Sequence, residues 1–363
     1  MKCLSVVAIT LGTILLTQVE SQAREKEKES FEALTERLID HNLPTLAFTA
    51  PPRYSTRIKN LIIREIVNGK HETEAALGRA TLYFPIFEHY LRKYDLPEEL
   101  KYIPYVETKL KTRALSEVGA GGLWQFMPYT AHHYQLRVNS TVDDRYDPLR
   151  STEAAARYLQ DLYVEFDDWL LALAAYNCGS GRVQRAIQLS KSHDFWELEQ
   201  YLPYQTRRYI PAFIAAAYIG KFYEVHELEP QKYFFNFKNV KILKLRQEMS
   251  LQDLAKVTDL PVATLHLLNP AYKQGVVPAY QRGNYLILPA STIASTQRYL
   301  AKINARAAEE IKLQPIVALQ LNDSLRNVPA QPDSEKHWRW WDYVEQLGSS
   351  GWLAFIPMQM RLT

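Results

Sequence analysis

The chain has 363 residues, of which 47% are hydrophobic and 23% charged, and a formal net charge of +3. That length allows two or three domains with buried cores, and the composition is that of an ordinary folded soluble protein. So small a positive balance argues against nucleic acid as a partner, while an anionic polymer stays compatible with it.

The first residues, Met1-Lys2-Cys3, lead into an apolar run from Leu4 to Leu16 and then Glu20-Ser21-Gln22-Ala23. The run is too short to span a bilayer comfortably. Residues 1–23 read as an export signal cleaved after Ala23, with an uncleaved anchor as the alternative. Cys3 precedes the apolar core, the wrong place for a lipid-modified N-terminus. Cleavage would leave Cys178 as the one cysteine, so no intrachain disulfide is expected. No His or Asp stands at a spacing that would activate Cys178. It reads as a small residue closing a helix end.

Residues 24–30 form a charged leader. Helical periodicity then dominates to about residue 228. Leu34, Leu38 and Ile39 recur on one face; Ile58, Leu61, Ile62, Ile66 and Val67 make a second stripe, and Phe84, Phe87, Tyr90, Leu91 and Tyr94 a third. Leu96-Pro97-Glu98-Glu99 is a helix start, with proline and two acids in the first turn. Ala155, Leu159, Leu162 and Phe166 follow at helical spacing. A last long helix is expected over 203–225, kinked or restarted at Pro211. Residues 31–228 therefore read as an all-α domain.

Composition shifts at Leu228-Glu229-Pro230. Val240 to Leu245 is strand-like, Leu251 to Val257 and Ala263 to Leu268 are short helices, and Tyr285 to Leu288 is strand-like again. This order predicts a small βααβ module over 236–291. Residues 292–312 look helical and polar. The remaining tail, to residue 363, carries Trp338, Trp340, Trp341 and Trp352 and has no assigned fold.

Four segments of the α region carry chemistry: Tyr105-Val106-Glu107-Thr108, Gly121-Gly122-Leu123-Trp124-Gln125-Phe126, Ala175-Tyr176-Asn177 and Tyr209-Ile210-Pro211. Glycosidic cleavage needs a proton for the leaving oxygen. Glu107 is placed near a helix C-terminus, where the dipole disfavours its charge, among apolar neighbours that disfavour it by desolvation. Both raise its pKa, as a general acid near neutral pH requires. Gln125 and Asn177 carry amides suited to sugar hydroxyls and N-acetyl groups. Tyr176 and Tyr209 can stack on sugar faces and keep a hydroxyl for hydrogen bonding. Glycines 119, 121 and 122 imply a close backbone approach or a positive φ. Taken singly, each of these residues is better read as burial or helix capping; together and in this order they read as a polysaccharide-cleaving site. No metal or cofactor is called for.

These segments resemble the four motifs of family 1 lytic transglycosylases, the goose-lysozyme-like cell-wall enzymes. Leu96-Pro97-Glu98-Glu99-Leu100, Asp143-Asp144-Arg145-Tyr146-Asp147-Pro148 and Ser151-Thr152-Glu153-Ala154-Ala155 support the likeness, which covers roughly residues 80–225. It implies a mainly α protein with a lysozyme-like catalytic domain. The implied activity is non-hydrolytic cleavage of peptidoglycan, with Glu107 as acid then base and 1,6-anhydro-N-acetylmuramic acid ends as product. Thr108, Gly122, Gln125, Phe126, Tyr176, Asn177 and Tyr209 would bind the glycan strand. Thr108 replaces the usual Ser, and Trp124 stands where Met is frequent. The 236–291 module resembles LysM, a peptidoglycan-binding module, through Leu251 to Val257, Leu265-His266-Leu267-Leu268-Asn269-Pro270 and Tyr285-Leu286-Ile287-Leu288-Pro289. Its usual Gly-Asp-Thr is replaced by Glu248-Met249-Ser250, and a structural spacer is the alternative. An exported protein of the bacterial periplasm or cell envelope follows, with a peripheral membrane association left open and protein partners unknown. A chain ending near Glu229 would contain all four motif segments. Two other functions stay open: a lysozyme-type hydrolase, for which Asp143 or Asp144 would supply a second carboxylate, and a non-catalytic wall-binding protein.

Overall fold

A computed structural model of the chain describes residues 31–45, 56–232, 239–302 and 309–311. The expected signal segment, the charged leader and the tryptophan-bearing tail lie outside the described residues.

The described residues of 31–228 are mainly helical, as their periodicity predicts. A first helix, α1 (31–42), precedes α2 (Thr56–Ile63). A wide turn, Arg64–Asn68, leads from α2 into the 24-residue α3 (Lys70–Lys93). Ile58, Leu61, Ile62 and Ile66 are buried, whereas Leu34 of the first stripe is exposed. Next come α4 (Ile103–Thr108), α5 (Pro128–His133) and α6 (Pro148–Phe166). The last group is α7 (Trp169–Cys178), α8 (Ser180–Ser190), α9 (Phe195–Leu198) and α10 (Tyr209–Phe222).

Local chemistry sets these boundaries. Asp147 caps α6 by accepting from the N–H groups of Leu149 and Arg150, with Pro148 in the first turn. Asp167, in the left-handed region, ends α6, and Asp168 caps α7 one residue later. In α7, every residue from Trp169 to Ala175 is buried, so the helix runs through the interior, packed on α6 and α8. The helix expected over 203–225 is shorter: a 3-10 turn at Thr206–Arg208 precedes α10. Pro211 is the third residue of α10, where its missing N–H has no intrahelical partner to lose, so it neither kinks nor restarts the helix. Helix α10 packs on α2 and α4.

The module follows the predicted order. β1 (Val240–Leu245) pairs antiparallel with β4 (Asn284–Pro289), placing Leu243 opposite Leu286. Between them lie β2 (Met249–Ser250), α11 (Leu251–Thr258), α12 (Val262–Leu268) and β3 (Val276–Val277). Ser250 caps α11 through the N–H of Asp253. Helix α13 (Ile293–Lys302) follows. The helical pattern read over 292–312 stops short, because Glu309–Ile311 forms a strand, β5, on the free edge of β1.

The two parts share their cores. Ile242, Leu268 and Ile287 of the module belong to the apolar cluster of the helical region. Val142 of the helical region belongs to the module's cluster, beside Tyr272, Leu286 and Leu288.

Candidate active site

Glu107 stands on a short helix whose end is pinned from outside. The helix expected from Pro97 starts as a 3-10 turn, Glu98–Tyr102, and becomes α4 at Ile103, with Glu107 its penultimate residue. Lys109 ends α4 in the left-handed conformation, φ 51°. Its carbonyl oxygen accepts from Arg79 Nε at 2.7 Å, its ammonium pairs with Glu65, and it lies 4.1 Å above the Tyr105 ring centroid. These contacts hold a strained residue in place. The Thr108 hydroxyl donates to the Pro104 carbonyl at 3.1 Å and steadies the same turn. Glu107 itself is 4% exposed. Burial pushes its carboxyl up to about 8, partly offset by the hydrogen bond donated by Tyr209.

The glycine-rich segment forms a tight hairpin over α4. Gly121 and Phe126 exchange both backbone hydrogen bonds, at 3.0 and 3.1 Å, and Gly122 donates to Ala114 at 2.9 Å. Gly122 has φ +80°, and a Cβ there would lie 1.8 Å from the Arg145 carbonyl oxygen; the position admits glycine alone. Gln125 is held at φ 49° while its Nε2 donates to Gly122 at 2.8 Å. Its Oε1 is buried without a partner. Trp124 is buried against Phe87, ring centroids 5.2 Å apart, and its Nε1 donates to Thr152 at 2.9 Å.

Helices α7 and α10 supply the other wall. The Tyr176 hydroxyl donates to the Trp124 carbonyl at 2.6 Å, and its ring packs on Tyr158, centroids 5.3 Å apart. Asn177 accepts from the Thr206 hydroxyl at 3.1 Å, while its Nδ2 is buried without a partner. Tyr209, the first residue of α10, is buried with its hydroxyl at the Glu107 carboxyl group.

One open pocket gathers Glu107, Gln125, Phe126, Tyr176 and Asn177. Thr108, Gly122 and Tyr209 stand behind its wall rather than on it. Among the described residues lining the pocket, Glu107 is the one carboxylate. Asp143 and Asp144 do not reach it: Asp143 is bound bidentate by Arg145, and Asp144 by Arg137. Sequence reasoning missed Tyr158 and Thr130 and gave no role to Met127, all of which also line the pocket. Tyr158 reads as one more aromatic on α6, and only the stack Phe126–Tyr158–Tyr176 reveals its place. No group of three or more His, Cys, Asp or Glu able to hold a metal occurs among the described residues.

Comparison with known proteins bears on this arrangement. Residues 84–199 match the Transglycosylase SLT domain, and residues 239–305 match the LysM-like domain described for lytic transglycosylase MltD. The helical region is thus similar over part of its length to the SLT transglycosylase domain, and the module that follows is similar to the LysM-like one. It is 40% identical over 148 residues to membrane-bound lytic murein transglycosylase D of Escherichia coli (strain K12), a match covering 39% of this chain and 32% of that protein. To membrane-bound lytic murein transglycosylase F of Cellvibrio japonicus it is 26% identical over 256 residues, 62% of this chain and 49% of the relative. The chain thus spans a third to a half of these relatives' own length. Among solved structures, the 70-kDa soluble lytic transglycosylase of Escherichia coli aligns at 20% identity with a TM-score of 0.34, covering 48% of this chain and 31% of that one.

Proposed function

We propose that the chain is a peptidoglycan lytic transglycosylase, of the family 1 type its motifs resemble, which cleaves the β-1,4 bond between N-acetylmuramic acid and N-acetylglucosamine without water. The observation that carries this reading is a single buried carboxyl group, raised to about 8, in a pocket without a second carboxylate. At neutral pH Glu107 is protonated and ready to donate. Its proton passes to the glycosidic oxygen as the C1–O bond breaks and the bonding pair leaves with that oxygen. The resulting carboxylate then takes the proton of the muramic C6 hydroxyl, whose oxygen bonds to C1. Glu107 ends protonated, no water is consumed, and the product is a 1,6-anhydro ring. A hydrolase would need a held water and normally a second carboxylate on the opposite face.

The remaining wall positions the sugar. Asn177 Nδ2 offers a donor and Gln125 Oε1 an acceptor, both buried and unmatched, a pair suited to an N-acetyl carbonyl and a sugar hydroxyl. Phe126 and Tyr176 provide aromatic surface. Tyr209 orients Glu107, and Thr108 and Gly122 hold the helix end and hairpin in shape. The same reading places the protein in the periplasm or cell envelope, acting on glycan strands, with cell-wall remodelling as its role. No helix among the described residues is long and apolar enough to cross a membrane.

Mass spectrometry of products from purified cell wall tests the proposal. Anhydro-muramic ends, lighter by one water than hydrolytic ends, are expected. Reducing ends would identify a hydrolase, and an absence of products a binding protein.

A further inference from the structure

A strap of chain, residues 137–147, lies between the LysM-like module and the hairpin above Glu107, and each face is bound to one of them. On its outer face Asp143 N–H donates to Ala271 O at 2.9 Å and Lys273 N–H donates to Thr141 O at 3.0 Å. This makes a short antiparallel pairing of Val142 with Tyr272. Val142 is 1% exposed and sits inside the module's apolar cluster. Lys273 Nζ donates to Asn139 O at 2.9 Å and lies 3.8 Å from the Asp143 carboxylate. Arg137 stacks over Tyr280 at 4.8 Å and Arg150 over Tyr285 at 4.4 Å, further fastening the module. On the inner face Asp143 grips the Arg145 guanidinium at 2.9 and 2.8 Å. Arg145 Nη1 in turn donates to Gly119 O at 2.6 Å, in the turn leading into the hairpin, and to Phe126 O at 3.1 Å, at the hairpin's far end. Gly121 and Gly122 lie directly against Arg145.

We infer that the module is a brace for the catalytic pocket, and that Lys273, with the 271–273 backbone, is a positioning element acting through Asp143 and Arg145 on the hairpin that carries Gln125 and Phe126. Asp143 is bound from both sides, so a shift at its module contact displaces the guanidinium that fixes the hairpin. A buried ion pair of this kind is sensitive to geometry, and packed interiors transmit such shifts rather than absorb them. The module then contributes to turnover even on a substrate too short to touch it. An independent catalytic unit ending near Glu229 would lack this support.

The test uses the full chain carrying Lys273→Glu, with Lys273→Met as the milder change. Lys273 is 38% exposed on its side chain, so both are tolerable surface changes, and the first places like charge beside Asp143. Hydrogen exchange is followed at the amides of Gly121, Gly122 and Phe126. Exchange there is expected to quicken roughly tenfold in Lys273→Glu and about twofold to threefold in Lys273→Met, with the amides of α3 unchanged. Turnover of a soluble murein oligosaccharide should fall in the same order, with KM less affected. Hairpin amides that keep their parental rates in both variants, while amides at 141–143 and 271–273 exchange faster, would overturn the brace. If Lys273→Glu loosens α3 as well, Lys273→Met decides alone by the same two outcomes. The exchange arm needs no catalysis; its inference rests on the proposed reaction only for the turnover arm, so failure of one is separable from failure of the other.

Discussion

Tyr176 and Trp124, far apart in sequence, are joined by a hydrogen bond from the tyrosine hydroxyl to the tryptophan carbonyl at 2.6 Å. The bond ties helix α7 to the hairpin and makes Tyr176 both wall and strut. Tyr176→Phe should keep the ring's contact with Tyr158 but lose about 1 kcal/mol of stability. Turnover on polymeric wall should fall by a few-fold. Tyr176→Ala should lose substantially more, since it also removes the aromatic surface. Equal kinetics for the Phe variant and the parent would show that the strut does not set pocket geometry.

Glu107→Gln keeps shape and removes the titrating proton. Turnover should drop by at least ~10², read by product release from purified sacculi. Its effect on stability has a defined sign. Folding raises the Glu107 pKa to about 8 from the usual carboxylate value near 4.5. Between those values the folded state holds a proton that the unfolded state has released, so this group's contribution to stability falls as pH rises through the window. The Gln variant escapes that loss. Its stability relative to the parent should therefore grow by roughly a few kcal/mol from pH 5 to pH 8, measured by urea unfolding at several pH values. A constant difference across that range would contradict the burial effect.

Tyr209 lowers the Glu107 pKa by donating to it. Tyr209→Phe should raise that pKa further, moving the alkaline limb of the rate profile to higher pH while the fold persists. An alkaline limb that moves to lower pH instead would reverse the assigned direction of this hydrogen bond.

Gly122→Ala places a Cβ 1.8 Å from backbone at φ +80°. No side-chain rotation relieves that clash. A loss of more than ~3 kcal/mol is expected, with activity lost in parallel. A thermal shift matching that of a benign surface substitution would mean the hairpin can relocate.

Because Ile242, Leu268 and Ile287 belong to the helical region's core cluster, both parts should melt together. Calorimetry is expected to give one transition, and Leu268→Ala should move it down by an amount matching about 2–5 kcal/mol. Two separated transitions would show that the shared cluster does not couple them.

Much of the fold was readable because helical periodicity is local: the stripes Ile58, Leu61, Ile62 and Ala155, Leu159, Leu162, Phe166 announce α2 and α6, and the βααβ order of the module follows from short strand-like and helical runs. Glu107, the glycines, Gln125 and Asn177 were readable as candidates because each sits in a compact motif. The unread features are pairings across the chain. Val142 with Tyr272, β1 with β5, and Asp143 with Arg145 and the hairpin leave no periodic trace in sequence. Tyr158 was missed for the same reason, since its place in the pocket depends on Phe126 and Tyr176 arriving from other elements. Pro211 was expected to kink or restart a helix begun at 203, but α10 starts only at Tyr209, so the proline falls in its first turn.

The buried, unmatched amide atoms of Gln125 and Asn177 bear on how the empty protein behaves. Groups taken out of water without a partner weaken the fold that contains them. A sugar offering one donor and one acceptor would satisfy both, so occupancy should tighten the whole domain and raise its melting temperature. Because Gln125 belongs to the hairpin and Asn177 to α7, a ligand held by both amides would couple the motions of these two walls.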